Sequence, residues 1–257
     1  MLTTLGDARR QRAVTRIADH RPWQMPDRPW FMAQTWRHLL FAHWRVDPGA
    51  LARVLPPGLP LDTFDGAAWV GVTPFAVDTF RVRLLPPPPA VHSFPELNVR
   101  TYVTVDGRPG IWFFSLDAGS RLAVEGARRL YRLPYFRARA SLDDGDPGVS
   151  FRSVRTQSDG PPASLRVEYR ASGPAGEPVP GTLDHWLTER YCLYTVDARG
   201  RLLRGDIHHR PWVLAPATAA IGENTMGGQI GVELAAPPLL HVAAPQDVVF
   251  WRLAPAA

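Results

Sequence analysis

NVRTYVTVDGRPGIWFFSLD, residues 98–117, reads as a strand over Asn98 to Val105, a turn containing Asp106-Gly107, and a second strand over Gly110 to Asp117. Asp-Gly tolerates the left-handed backbone of tight hairpin turns, and apolar residues alternate with polar ones on either side. The same grammar recurs twice. Leu61 to Phe64, Asp65-Gly66 and Ala67 to Phe75 form one repetition, and Tyr191 to Val196, Ala198 to Gly200 and Arg201 to Ile207 form the other. Thr35 to Val46 is expected to be a first core strand, and Val149 to Arg155, Leu165 to Tyr169 and Val248 to Leu253 add further strands. So many hairpins predict a large sheet or barrel.

Helices interrupt this pattern at three places. Asp47-Pro48 is an N-cap followed by proline at the first helical position, opening a short helix that stops at Pro56-Pro57. Ser120 to Leu133 carries Leu122, Gly126 and Leu130 in one row, with Ala123, Ala127 and Tyr131 beside it, and ends at Pro134. Its small residues would allow close approach to a sheet. Thr182 to Thr188 is a third, shorter helix. The expected class is therefore α+β, mainly β. Residues 1–30 form a polar, proline-interrupted lead-in, and 31–257 a single domain. The stretches Pro86 to Pro89 and Ala171 to Gly181 suit loops on that body rather than linkers.

The chain contains no lysine, and all 29 of its Lys/Arg positions are arginine. Schiff-base catalysis needs an amine that can lose its proton, and a guanidinium does not. Pyridoxal aldimines, lysine iminium chemistry and a phosphate-binding P-loop lysine are thus excluded. A formal charge of +5 invites a nucleic-acid reading, but 24 Asp/Glu are interspersed with the arginines. The densest cluster, Arg128, Arg129, Arg132, Arg137 and Arg139, suits a solvated face near a helix C-terminus. No nucleic acid and no membrane partner is expected, and a homo-oligomer is left open. One cysteine, Cys192, excludes intrachain disulfides. With no signal-type apolar segment at the N-terminus and no run of membrane-spanning length, a cytoplasmic location is expected.

No local catalytic motif is present, so function must come from side chains that converge from separate strands. Asn98, Arg100, Tyr102 and Thr104 alternate with apolar neighbours and give one polar, cationic face. Turned inward, that face would make Arg100 a carboxylate anchor; turned outward, it would be an ordinary solvated face. Asp117, just before a helix, suits a capping role. Arg190 could serve an internal ion pair or a ligand, with Glu189 and Tyr191 on the opposite side of its strand. His43, His208, His209 and His241 lie on strand-like segments without metal-site spacing, so neither metal nor cofactor is expected.

Several stretches together resemble the YqjF-like family of uncharacterised bacterial proteins, whose domain is one of unknown function. They include LLFAHWRVDP (39–48), LDTFDGAAWVGVTPF (61–75), FPELNVRTYV (94–103), ARRLYRLPYFRA (127–138), LTERYCLYT (187–195), IHHRPW (207–212) and DVVFW (247–251). That family is similar to a distant branch of the acetoacetate decarboxylase-like superfamily. The resemblance implies an antiparallel β-barrel or large curved sheet, a few flanking helices and a buried central pocket. It also implies that Tyr135 and Phe136 stand where the decarboxylases carry paired lysines, so their activity does not carry over. On this basis Arg100, Tyr102, Phe114, Tyr135, Arg190 and Tyr191 are candidate ligand-binding residues, and Tyr135, His43 and Glu189 candidate acids or bases. Three functions follow: a pocket for a small organic acid or apolar metabolite; a non-decarboxylating lyase, hydratase or isomerase acting on a keto acid; or a packed interaction protein.

Overall fold

The computed structural model describes residues 2–85, 93–157 and 160–256. The Pro86 to Pro89 run lies outside them. A helix α1 (Leu2–Ala13) leads into fourteen strands of one sheet. These are β1 (Met32–Arg37), β2 (Leu39–Val46), β3 (Ala68–Val82), β4 (Phe94–Val105), β5 (Arg108–Ala118), β6 (Tyr135–Asp144) and β7 (Val149–Arg155). The rest are β8 (Ser164–Ala171), β9 (Cys192–Val196), β10 (Leu202–His208), β11 (Leu214–Asn224), β12 (Leu239–Ala243), β13 (Gln246–Phe250) and β14 (Ala254–Pro255). Three further helices are α2 (Pro48–Ala52), α3 (Arg121–Tyr131) and α4 (Leu183–Thr188). The lead-in is bonded to the sheet: Gln11 donates to the Thr79 carbonyl at 3.0 Å, and Arg21 to the Ile207 carbonyl at 2.7 Å.

Local chemistry accounts for most of the turns. Asp106 and Gly107 both have positive φ, 50° and 70°, and connect β4 to β5 in two residues. Asp65 and Gly66 make the same turn, closed by the Phe64–Ala67 bridge. Its first arm differs from the expected hairpin, however, because Leu61 bridges Val103 of β4 instead of continuing along β3. The predicted strand over Thr35 to Val46 is two strands, split where His38 turns left-handed at φ 51°. Asp47 caps α2 by accepting from the Ala50 amide at 2.6 Å. Ser120 caps α3, and Arg132 ends it in a left-handed conformation.

The sheet is mixed rather than purely antiparallel. β5 runs antiparallel to β4 on one edge, while its other edge meets β6 and β9 in parallel. Leu116 to Ala118 pair with Tyr135 to Arg137, and Ile111 and Trp112 pair with Leu193 and Tyr194. Because β5 serves two partners on one edge, the pairings return on themselves twice. One circuit runs β1, β13, β10, β9, β5, β4, β3 and back to β1. The other runs β5, β4, β3, β2, β12, β11, β8, β7, β6 and back to β5. Strands β3, β4 and β5 are common to both.

This shared wall is buried on both faces; alternation assigns the residues of β3 and β4, and on β5 a register shift breaks it, so that Phe113 and Leu116 share a face. Val70, Val72, Leu97 and Val99 enter one apolar core with Phe151, Leu165 and Val167 of β7 and β8. Phe75, Val77, Phe94 and Leu116 enter another with Tyr131 of α3, Ile207 of β10 and Phe250 of β13. The polar face of β4 thus turns inward, toward the second of these cores.

Candidate functional site

The circuit through β1, β13, β10 and β9 encloses a cavity of about 340 Å³. Its two ends differ in chemistry. At one end Met32 pairs with both Phe250 and Val82, and Phe94 pairs with Val77, which brings these strand ends together. Helix α3 lies over them, with Leu122, Ala123, Gly126, Ala127, Leu130 and Tyr131 lining the cavity. Leu122 and Leu130 are 62% and 51% exposed, so this end is an apolar mouth. Of the small residues of α3, Ala123 and Ala127 pack against the core, whereas a Cβ built on Gly126 would meet nothing within 4 Å.

The other end is closed and cationic. Arg100 lies six residues beyond Phe94 along β4, about 20 Å at strand rise. Arg100, Arg190 and His209 line the cavity there and are all buried. Arg190 donates to Asp62 at 2.7 Å and to the Trp186 carbonyl at 2.7 Å, yet its Nη2 has no partner. For Arg100 both Nε and Nη2 lack a partner among the described residues. Its guanidinium rests on the Phe41 ring at 5.0 Å, and both cations lie within 6 Å of the Tyr102 ring, at 5.9 and 4.9 Å. Thr73 and Asn98, opposite one another on β3 and β4, also line the cavity and present an unpartnered Oγ1 and Oδ1.

Between the ends, Glu96 and Tyr135 line the wall, and the Tyr135 hydroxyl donates to Glu96 at 3.1 Å. Burial pushes the Glu96 carboxyl up to about 8, so it is largely protonated at neutral pH. Burial and the neighbouring Glu96 push the Tyr135 phenol well above its ordinary value. His43 and His209 are shifted the other way, burial holding both below the usual imidazole value.

Of the residues singled out in the sequence, Arg100, Arg190 and Tyr135 meet at this cavity. His43 and Tyr102 stand behind Arg100, joined by a 2.7 Å hydrogen bond between Nε2 and the hydroxyl. Phe114 falls at a register shift between β4 and β5 and packs on the far side of the wall. Glu189 accepts from the Trp212 amide at 2.8 Å and from the Tyr191 hydroxyl, and Tyr191 stacks on His209 at 4.7 Å. These last residues brace the closed end rather than line it. Asp117 does not cap α3. It binds Arg155 through two bonds of 2.7 Å, and burial still raises its carboxyl above the ordinary value. Sequence reasoning missed Glu96, Thr73 and Asp62. Glu96 shares the parity of Asn98 and Arg100 on β4, and extending the alternation two residues back would have included it.

Phe136 packs beneath the Arg155 guanidinium at 3.9 Å, so of Tyr135 and Phe136 only Tyr135 reaches the cavity. Among the described residues no three of His, Cys, Asp and Glu converge as a metal site, and no helix is long and apolar enough to cross a membrane.

The architecture is that of acetoacetate decarboxylase-like enzymes. MppR, an enduracididine biosynthesis enzyme solved in complex with pyruvate, superposes with a TM-score of 0.58 at 16% identity, covering 92% of this chain and 95% of that one. Acetoacetate decarboxylase from Legionella pneumophila gives 0.57 at 12% identity, covering 95% and 94%. At such identities the likeness concerns the fold. Sequence similarity is much higher to the uncharacterized protein YqjF of Bacillus subtilis, 46% identical over 230 residues that span 89% of this chain and 94% of that protein. Residues 33–247 match the DUF2071 family of uncharacterized conserved proteins, and the chain belongs to that family.

Proposed function

We propose that the chain binds a small organic acid carrying one negative charge, with the carboxylate at Arg100. The observation that carries this reading is the unequal pairing of the two buried arginines at the closed end. Arg190 is paired with Asp62, Glu189 is taken up by the Tyr191 hydroxyl and the Trp212 amide, and burial holds His43 and His209 below the usual imidazole value. Arg100 is buried with no ion-pair partner among the described residues, a costly arrangement unless a ligand completes it. A carboxylate accepting side-on from Nε and Nη2 of Arg100 would satisfy both orphan donors. The remaining surface is largely aromatic and aliphatic, which suits binding the rest of a small molecule. Without a lysine, no lysine imine forms in the process. An open cavity with unpartnered polar groups also weighs against the packed interaction protein.

Monocarboxylates should raise the melting temperature of the wild type, while matched primary amides do not. Arg100→Gln should weaken acid binding at least tenfold in calorimetry. Acids that stabilise wild type and Arg100→Gln equally would remove Arg100 from this role.

A second reading, proton transfer on the bound acid, is favoured by the Glu96–Tyr135 pair. A carboxyl kept protonated near neutral pH can act as a general acid or, once ionised, as a base. Exchange of carbon-bound hydrogen for solvent deuterium, followed by NMR, should then occur on bound keto acids and vanish in Glu96→Gln. Equal exchange in both proteins would exclude Glu96 as the base.

A further inference from the structure

The two ends of the cavity specify more than a charge. We infer that the occupant is an amphipathic monocarboxylate, seated carboxylate first at Arg100 with an unbranched apolar chain running along β4 and emerging beneath α3. This rests on the monoanion reading above and adds the class of molecule.

Three observations support it. First, the polar groups are unevenly spread: Arg100, Arg190, Asn98 and Thr73 cluster at the closed end, whereas Met32, Phe80, Val82, Phe94 and Phe250 surround the mouth, with Gln34, two residues along β1 from Met32, accepting from the Trp36 indole. A compact, polar acid would leave that apolar end unfilled. Second, the apolar surface does not stop at the rim. Leu122 and Leu130, on α3, line the cavity and yet are largely exposed, so the apolar track continues to the outside. Large leucines left in water on a cavity-lining row are unfavourable unless an apolar group covers them. Third, α3 leaves room for a chain to pass. The position of a Cβ on Gly126, between those leucines in the same helical row, is empty to 4 Å. The Arg128 bond to the Tyr135 carbonyl, 2.6 Å, and the Tyr131 hydroxyl bond to the Trp251 carbonyl, 2.9 Å, hold the helix over the mouth. Midway, Glu96 is the only carboxyl among the described residues of the lining, and its protonated form presents no charge to a passing chain.

The test is a calorimetric series of acetate, butyrate, octanoate, dodecanoate and hexadecanoate at pH 6.5, with octanol as the uncharged control. Affinity should rise about fourfold per added methylene, the transfer value of one CH₂, and octanol should bind far more weakly than octanoate. Gly126→Trp, which fills the open space over the mouth, should weaken hexadecanoate at least tenfold while leaving butyrate unchanged. Leu122→Asp should do the same by charge, and unchanged melting temperatures would show that both variants fold. Butyrate and hexadecanoate binding equally, each still dependent on Arg100, would overturn the chain inference and leave the monoanion reading standing. Octanol matching octanoate would overturn the carboxylate-first orientation. Failure of every acid to bind would remove both.

Discussion

Two arginines lie buried on opposite sides of the wall formed by β3, β4 and β5, and they are treated in opposite ways. Arg155 is fully enclosed. Its Nε and Nη2 each meet an Asp117 oxygen at 2.7 Å, Gln229 and the Pro161 carbonyl take further bonds, and Phe136 lies against its face. Arg100 is no less buried, but among the described residues two of its nitrogens have no partner and it enters no ion pair. Glu96 shows a third solution, since it sheds its charge by holding its proton. Pairing, vacancy and neutralisation sit within one sheet. The contrast separates groups that hold the fold together from a group that is short of a partner.

Asp117→Asn should have the largest effect. Removing one member of a buried pair leaves Arg155 uncompensated, and unfolding by denaturant should register a loss of about 3–5 kcal/mol. Acid binding, on the other side of the wall, should survive wherever the variant is folded. A loss under 1 kcal/mol would mean that Arg155 is no better paired than Arg100.

Glu96 comes next. Its folded value, about 8, lies above the unfolded 4.5, so the folded state retains a proton that the unfolded state has released. Stability should therefore fall as pH rises from about 4.5 through 8, at no more than about 1.4 kcal/mol per unit. Glu96→Gln, which keeps the size and removes the titration, should flatten that slope. An unchanged slope would place the proton elsewhere.

Arg100→Met should have the smallest effect on stability, and its sign is the informative part. Exchanging an uncompensated buried cation for an apolar chain should leave the ligand-free protein as stable or more stable. A loss comparable to that of Asp117→Asn would show that Arg100 is a structural ion whose partner is internal.

The hairpins were legible because Asp-Gly pairs impose their own backbone: the turn at Asp106-Gly107 falls where the sequence puts it. The split at His38 was not, since a histidine, though it tolerates a left-handed backbone more readily than most residues, adopts one too seldom for TWRHLLF to mark the turn. Strand β6 was hidden by Arg137 and Arg139, which read as part of a charged cluster but alternate outward along a strand. The parallel contacts of β5 could not be read at all, because local pattern carries no information about partners distant in sequence. The same limit applies to the site. Alternation grouped Asn98 with Arg100, but a period of two says which residues share a face and not which face points inward. Asp62, which pairs with Arg190 across 128 positions, had no local signal.

The common wall has a consequence for how this protein could be altered. Val72 and Val99 press against the solid core from one side, while Gly71 and Arg100 face the hollow from the other. A Cβ on Gly71 would come within 3.3 Å of the Arg100 side chain. Three strands thus act as a partition between two rooms, too thin for either to be refurnished in private. Repacking the filled room would shift the guanidinium in the empty one, so specificity could be tuned by residues no ligand ever touches.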